Sequence, residues 1–141
     1  MTTLDADELI ARVAQWSRRD DRVIAAAVCG SHVRGDARPD SDIDFCIVAP
    51  DPDALLDDLS WVTALGPGAH VPGAVEDYKL VRSIRAFYGA TEAEFGIAYQ
   101  AWMELPIDRE TAVVMNDGLR ILYDPDGRLE TALASAASSC R

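Results

Sequence analysis

The stretch Val23-Ile24-Ala25-Ala26-Ala27-Val28-Cys29-Gly30-Ser31-His32-Val33-Arg34-Gly35-Asp36-Ala37-Arg38-Pro39-Asp40-Ser41-Asp42-Ile43-Asp44-Phe45-Cys46-Ile47-Val48-Ala49 decides the fold. Its first seven residues are apolar throughout, which suits a strand buried on both faces. The run stops at Gly30-Ser31. A short turn or helix follows and ends before Pro39, and residues 43–49 form a second buried strand. Gly30 lets the backbone approach an anion closely, and Ser31 adds a hydroxyl and an N–H. A helix starting there would aim its free amides at a phosphate. Asp42 and Asp44 are two apart on the second strand and point to one face, while Ile43, Phe45 and Ile47 point into a core. Two carboxylates on one face repel unless a cation sits between them. Hard oxygen ligands of this kind suit Mg²⁺, which is commonly shared with substrate phosphates. The segment therefore offers a phosphate cradle beside a metal platform.

Outward from it, the pattern alternates helices and strands. Asp5 caps a first helix whose Leu9, Ile10, Val13 and Trp16 recur at helical spacing. Asp51-Pro52-Asp53 opens a helix with Leu55, Leu56, Leu59 and Val62 as its core face. Residues 66–73, rich in Gly and Pro, read as a loop. Residues 78–88 and 91–99 read as strands, and Gly89-Ala90 between them can turn a hairpin. Asp108 caps a helix ending at Asn116-Asp117-Gly118, residues 119–123 are a short strand, and residues 129–137 a last helix. The expected class is α/β or α+β: one domain over residues 1–141, a mixed β-sheet with helices packed mainly on one face.

The central segment resembles the signature of the DNA polymerase β-like nucleotidyltransferase superfamily: Gly-Ser, a spacer with an Arg-Gly pair, then Ser-Asp-Ile-Asp on a strand. Gly30, Ser31, Arg34, Gly35, Ser41, Asp42 and Asp44 match it position by position. The resemblance covers roughly residues 22–125, and its first motif is the sharp one. It implies a mixed sheet, two divalent metals, and transfer of a nucleotidyl group from a nucleoside triphosphate, ATP first among them, to an acceptor hydroxyl. It also implies a third acid on a later strand. Glu94 stands between Ala93 and Phe95 and is preferred, while Glu92 has the same strand parity and competes with it. In that reading Asp42, Asp44 and Glu94 hold the metals and Glu94 takes the acceptor proton. Gly30 and Ser31 hold the β- and γ-phosphates, and Arg34 and Ser41 belong to the nucleotide-binding set.

The hairpin adds one expectation from geometry. With a two-residue turn at Gly89-Ala90, Tyr88 faces Thr91 and Arg85 faces Glu94, so Arg85 and Ser83 lie beside the acids. Arg85 would then hold a phosphate or fix the Glu94 carboxylate. A three-residue turn would send it to the other face. Blander roles stand beside these. Arg34 and Arg38 alternate with Asp36 and Asp40 and can form a solvated charged turn. Trp102 can cover a nucleotide base or simply pack on the sheet. His32 and His70 read as surface residues.

Composition bounds the ligand. The 141 residues carry 24 Asp+Glu against 13 Lys+Arg, a net charge of -11, and Lys79 is the only lysine. Such a balance argues against long nucleic acids and anionic membranes. It permits a metal-bound triphosphate with a neutral or cationic acceptor, such as an aminoglycoside-like compound, or a protein acceptor. Hydrophobic residues make up 49% of the chain, enough for a core. Three cysteines without a C-x-x-C pair suggest reduced thiols and a cytoplasmic setting, and His32 and His70 lack zinc-ligand spacing. Relatives that modify antibiotics carry a further helical domain, so the acceptor wall here is expected from a second copy, a helical partner or an open cleft. The resemblance leaves two alternatives to a small-molecule enzyme: a minimal antitoxin that modifies a small helical toxin, and a nucleotide-binding module without turnover.

Overall fold

The computed structural model describes residues 4–38 and 41–139. Helix α1 (Ala6–Arg19) starts where Asp5 Oδ1 accepts the Glu8 amide at 2.8 Å. It buries Leu9, Ile10 and Val13, and its Trp16 ring stacks on Trp61 at 4.6 Å between centroids. Strand β1 (Ala25–Cys29) is buried at all five positions, as its unbroken apolar run requires. A one-turn helix α2 (Ser31–Arg34) leads to β2 (Ile43–Val48).

The expected helix after Asp51 is instead two pieces, α3 (Pro52–Leu56) and α4 (Ser60–Leu65). Asp58 Oδ1 accepts the Ser60 amide at 3.0 Å, which starts a new helix there. Trp61 Nε1 donates back to the Leu55 carbonyl at 2.7 Å and satisfies the end of α3. Leu55 and Val62 are still buried, as the apolar spacing required. The segment read as a loop contains a two-residue strand, β3 (Ala69–His70), which pairs with Tyr88 and Phe87. His70 is exposed there.

The long strand read from residue 78 is also two elements, β4 (Glu76–Tyr78) and β5 (Val81–Tyr88), folded on each other. Lys79 turns between them with a left-handed φ of 51°. Strand β6 (Thr91–Ala98) follows β5 through Gly89-Ala90, with Gly89 at φ 66°, and a 3₁₀ turn over Gln100–Met103 follows. Asp108 caps α5 (Arg109–Asp117), accepting from the Glu110 and Thr111 amides, then come β7 (Leu119–Tyr123) and α6 (Arg128–Ser139).

The sheet has seven strands in the order β3-β5-β6-β2-β1-β7, with β4 on β5. Strand β2 runs parallel to β6, and the other pairs are antiparallel. One face carries α1, α3 and α4 over Val28, Phe45, Ile47, Phe95 and Ile97. Helices α5 and α6 and the 3₁₀ turn cover part of the second face, over Ala25, Ala27, Cys29 and Val48. The mixed α+β sheet is therefore as the sequence indicated, with α5 and α6 added on the second face. Beyond their cover, that face opens into a cleft. No helix among the described residues is long and apolar enough to cross a membrane.

Candidate active site

Strand pairing draws a straight row across four strands. Cys29 on β1 faces Asp44 on β2, Asp44 faces Glu94 on β6, and Glu94 faces Arg85 on β5. Directly opposed residues share a face, so Asp44, Glu94 and Arg85 stand side by side on the second face. Asp42 shares that face two residues before Asp44. Carboxylate oxygens of Asp42, Asp44 and Glu94 all lie within 4.8 Å of one another. The two-residue hairpin turn produces the register that brings Arg85 opposite Glu94, with Tyr88 opposite Thr91. Arg85 Nη1 donates to Glu92 Oε2 at 2.7 Å, and its Nη2 stands 3.8 Å from Glu94 Oε2. Glu92 is thus engaged by Arg85, and Glu94 is the glutamate grouped with the aspartates.

Burial and the crowding of negative charge act together at Asp44. Burial, then the Asp42 and Glu94 charges, push its carboxyl from 3.8 up to about 7, and Arg85 opposes the rise. A half-buried trio of carboxylates with one guanidinium at its edge has room for further positive charge. Its all-oxygen donor set fits a hard divalent ion such as Mg²⁺ or Mn²⁺. Next to it, burial first and the Asp44 charge second push the Cys29 thiol up to about 12, so it is protonated and inert at neutral pH.

Gly30 carries the chain from β1 into α2 with φ 78°. A Cβ at this position would stand 3.0 Å from Asp44 Oδ2. The turn is tied down by the Gly30 amide, which donates to the Gly118 carbonyl at 3.0 Å. Within α2, Val33 and Arg34 are the first amides to bond back, both to the Gly30 carbonyl, so the Ser31 and His32 amides precede the helical ladder.

Two expected binding residues are turned elsewhere. Arg34 pairs with Asp117 Oδ2 at 2.7 Å and Asp36 Oδ2 at 3.3 Å, which is the charged-turn role. Ser41 Oγ accepts the Arg38 amide at 2.8 Å and so shapes the loop before β2. His32 is half-buried rather than fully exposed; it lines a separate hollow with Ser41 and Ile43, and its Nε2 has no partner among the described residues.

The acids lie at one end of a cleft of about 460 Å³ between the sheet and α5. Its floor is Cys29, Cys46, Ser83 and Gly96, and its far wall is Trp102, Val113 and Val114. Trp102 is buried in the second core, so it packs on the sheet and bounds the cleft at once. Tyr78 closes the rim: its hydroxyl donates to Glu110 Oε2 at 2.6 Å, and Lys79 Nζ donates to Glu110 Oε1 at 2.5 Å, fastening the β4–β5 turn to α5. Sequence reasoning missed the Val113–Val114 wall and this clasp. Two adjacent valines inside a helix carry no signal that one face of it is open.

No curated protein matches at a significant level. Among solved structures, a toxin–antitoxin with AMP-PNP is similar over 93% of this chain and 86% of its own, at 11% identity and a TM-score of 0.53. The Cid1 poly(U) polymerase bound to MgATP is similar over 81% of this chain and 42% of its own, at 15% identity and a TM-score of 0.44. The same polymerase with its short product ApU gives 14% identity and a TM-score of 0.43, and this chain spans 41% of it. The first of these likenesses concerns the fold. A family model, the nucleotidyltransferase domain, matches residues 10–88. That stretch takes in the Gly30–Ser31 turn, Asp42, Asp44 and Arg85, and stops before Glu94. More than half of the chain is matched, and the chain belongs to the nucleotidyltransferase domain family.

Proposed function

We propose that this protein is a metal-dependent nucleotidyltransferase that moves a nucleoside monophosphate from a nucleoside triphosphate, ATP first among them, to an acceptor hydroxyl. The observation that carries the reading is the convergence within 4.8 Å of Asp42 and Asp44, inside the matched nucleotidyltransferase domain, with Glu94 on the next strand beyond the match. Asp42 and Asp44 would hold two divalent cations, with Glu94 completing the site on the acceptor side. Bound there, Mg²⁺ supplies charge neutralisation on the phosphates and lowers the pKa of the acceptor hydroxyl.

The chain's own residues do the rest. Glu94 accepts the hydroxyl proton on a carboxylate oxygen as the acceptor oxygen attacks the α-phosphorus, and the bond to the departing pyrophosphate breaks in line. The Ser31 hydroxyl and the amides at the start of α2 face the β- and γ-phosphates. Arg85 keeps positive charge at the Glu94 edge of the site. Arg34 can join the phosphates only by leaving Asp117.

The acceptor is a small molecule or a protein. The cleft is open beside the exposed α5 valines, so either can enter. The fold likeness to a toxin–antitoxin of comparable length keeps a protein acceptor, a helical one included, as the second reading.

Calorimetry with each nucleoside triphosphate, with and without Mg²⁺, on wild type and Asp44→Ala tests the shared core. Metal-dependent binding lost on substitution supports it, and failure of wild type to bind any triphosphate overturns it. Incubation with a radiolabelled triphosphate and candidate acceptors then separates small-molecule from protein products, and metal-dependent binding without any transfer would leave a nucleotide-binding module.

A further inference from the structure

The Gly30 turn and the helix behind it are fastened to the far end of α5. The Gly30 amide donates to the Gly118 carbonyl at 3.0 Å, and Arg34 Nη1 donates to Asp117 Oδ2 at 2.7 Å. Asp117 is the last residue of α5, and Gly118 follows it as the cap. Gly118 also makes room for the Arg34 stem, because a Cβ there would stand 3.1 Å from Arg34 Cγ. The stem therefore lies against the α5–β7 junction, while the charged ends of the pair face solvent. The side chains are 39% exposed for Arg34 and 63% for Asp117.

Arg34 stands three residues after Ser31 on α2, so the two side chains leave the helix on the same side. Asp117 lines the cleft together with Gly30, Asp44 and Glu94. The guanidinium thus sits between a carboxylate of the cleft and the turn assigned to the β- and γ-phosphates. Its other partner among the described residues, Asp36 Oδ2 at 3.3 Å, is more distant. An ion pair this open to water is weak, shifting an equilibrium by about fivefold at most. A polyphosphate offers the same guanidinium two oxygens at once and several charges. Exchange of Asp117 for phosphate is therefore favourable, yet the pair must be broken first.

We infer that Asp117 competes with the triphosphate for Arg34: it parks the guanidinium at the cleft wall in the free protein and releases it when the phosphates arrive. Asp117 is a positioning residue in this scheme, acting on the triphosphate through Arg34 and touching neither phosphate nor metal. The inference rests on the nucleotidyl-transfer reading and adds to it a contact that holds affinity for the triphosphate down.

The test is calorimetry on the full chain with Mn²⁺ in about 0.3 M KCl, using inorganic tripolyphosphate and a non-hydrolysable ATP analogue as probes. At that salt the Debye length is about 5–6 Å, so repulsion between unpaired charges is largely screened. Asp117→Asn is expected to tighten both probes alike, by roughly two- to fivefold, and Asp117→Ser to reproduce the gain. Arg34→Gln weakens both probes, and in that background Asp117→Asn leaves the affinities unchanged. The inference is overturned if neither Asp117 variant tightens binding, if Arg34→Gln has no effect, or if only the nucleotide gains. It is equally overturned if Asp117→Asn gives its full gain in the Arg34→Gln background, since Asp117 would then be a plain repulsive charge. Failure of wild type to bind either probe overturns the nucleotidyl-transfer reading itself, and this inference with it.

Discussion

Replacing Asp44 by Asn in the metal-free protein should stabilise the fold at pH 8 and leave it almost unchanged near pH 4. Asp44 is held at about 7 against an ordinary 3.8, first by burial and then by its carboxylate neighbours. A raised carboxyl binds its proton more tightly when folded. Its contribution is therefore fully present below about pH 4 and is lost as pH rises through about 7. Taken at face value the rise is worth about 4 kcal/mol, but the side chain is only half-buried and solvent screens the repulsion, leaving about 1–2 kcal/mol. Asn has the same shape without the charge, so it escapes that penalty. For a chain of this length the gain is about 3–8 °C in Tm. The assay is thermal unfolding in EDTA at pH 4, 6 and 8, repeated with Mn²⁺ at pH 8. The variant should exceed wild type in EDTA only at the higher pH, and Mn²⁺ should raise wild type alone. Equal or lower stability of Asp44→Asn at pH 8 in EDTA, or the same gain at pH 4, would refute the reasoning.

Gly30→Ala places a side chain at φ 78° and 3.0 Å from Asp44 Oδ2, so it should cost about 1–3 kcal/mol in urea unfolding and weaken Mn²⁺ binding as well. Arg85→Gln removes the cation that lowers the Asp44 carboxyl, so a carbon-13 carboxyl titration of the metal-free protein should find Asp44 above about 7; an unchanged or lower value would show that Arg85 does not act on it. Tyr88→Phe removes the hydroxyl that donates to the Val62 carbonyl at 2.8 Å in the core, at a cost of about 1–2 kcal/mol in the same denaturation assay.

How much was legible depended on how local each determinant is. The Gly30-Ser31 turn between two apolar strands and the parity of Asp42 and Asp44 are properties of adjacent residues, and they were readable. So was the hairpin register, because the turn length alone fixes which residue opposes Glu94. The parallel pairing that sets Glu94 beside Asp44 was reached only through the family resemblance, since it joins segments about fifty residues apart and no local pattern encodes it. The break after Leu56 was hidden because Asp57 and Asp58 suit a helix surface as well as a new cap. The Lys79 turn was hidden because no Gly or Asn marks it. Arg34 illustrates a different limit: its position fits the family motif, yet its partner Asp117 lies 83 residues away.

The clasp at the cleft rim has a practical side. Lys79 is the only lysine of this chain, and it spans the turn between β4 and β5 to reach Glu110 on α5. Amine-directed chemistry therefore has a single side-chain target, on the β4–β5 turn next to Tyr78, which lines the cleft. A fluorophore attached there would sense occupancy without any engineered cysteine, and acetylation would unfasten the strap by cancelling its charge. The scarcity of lysine that first stood out as a quirk of composition leaves the molecule with one built-in handle, beside the cleft.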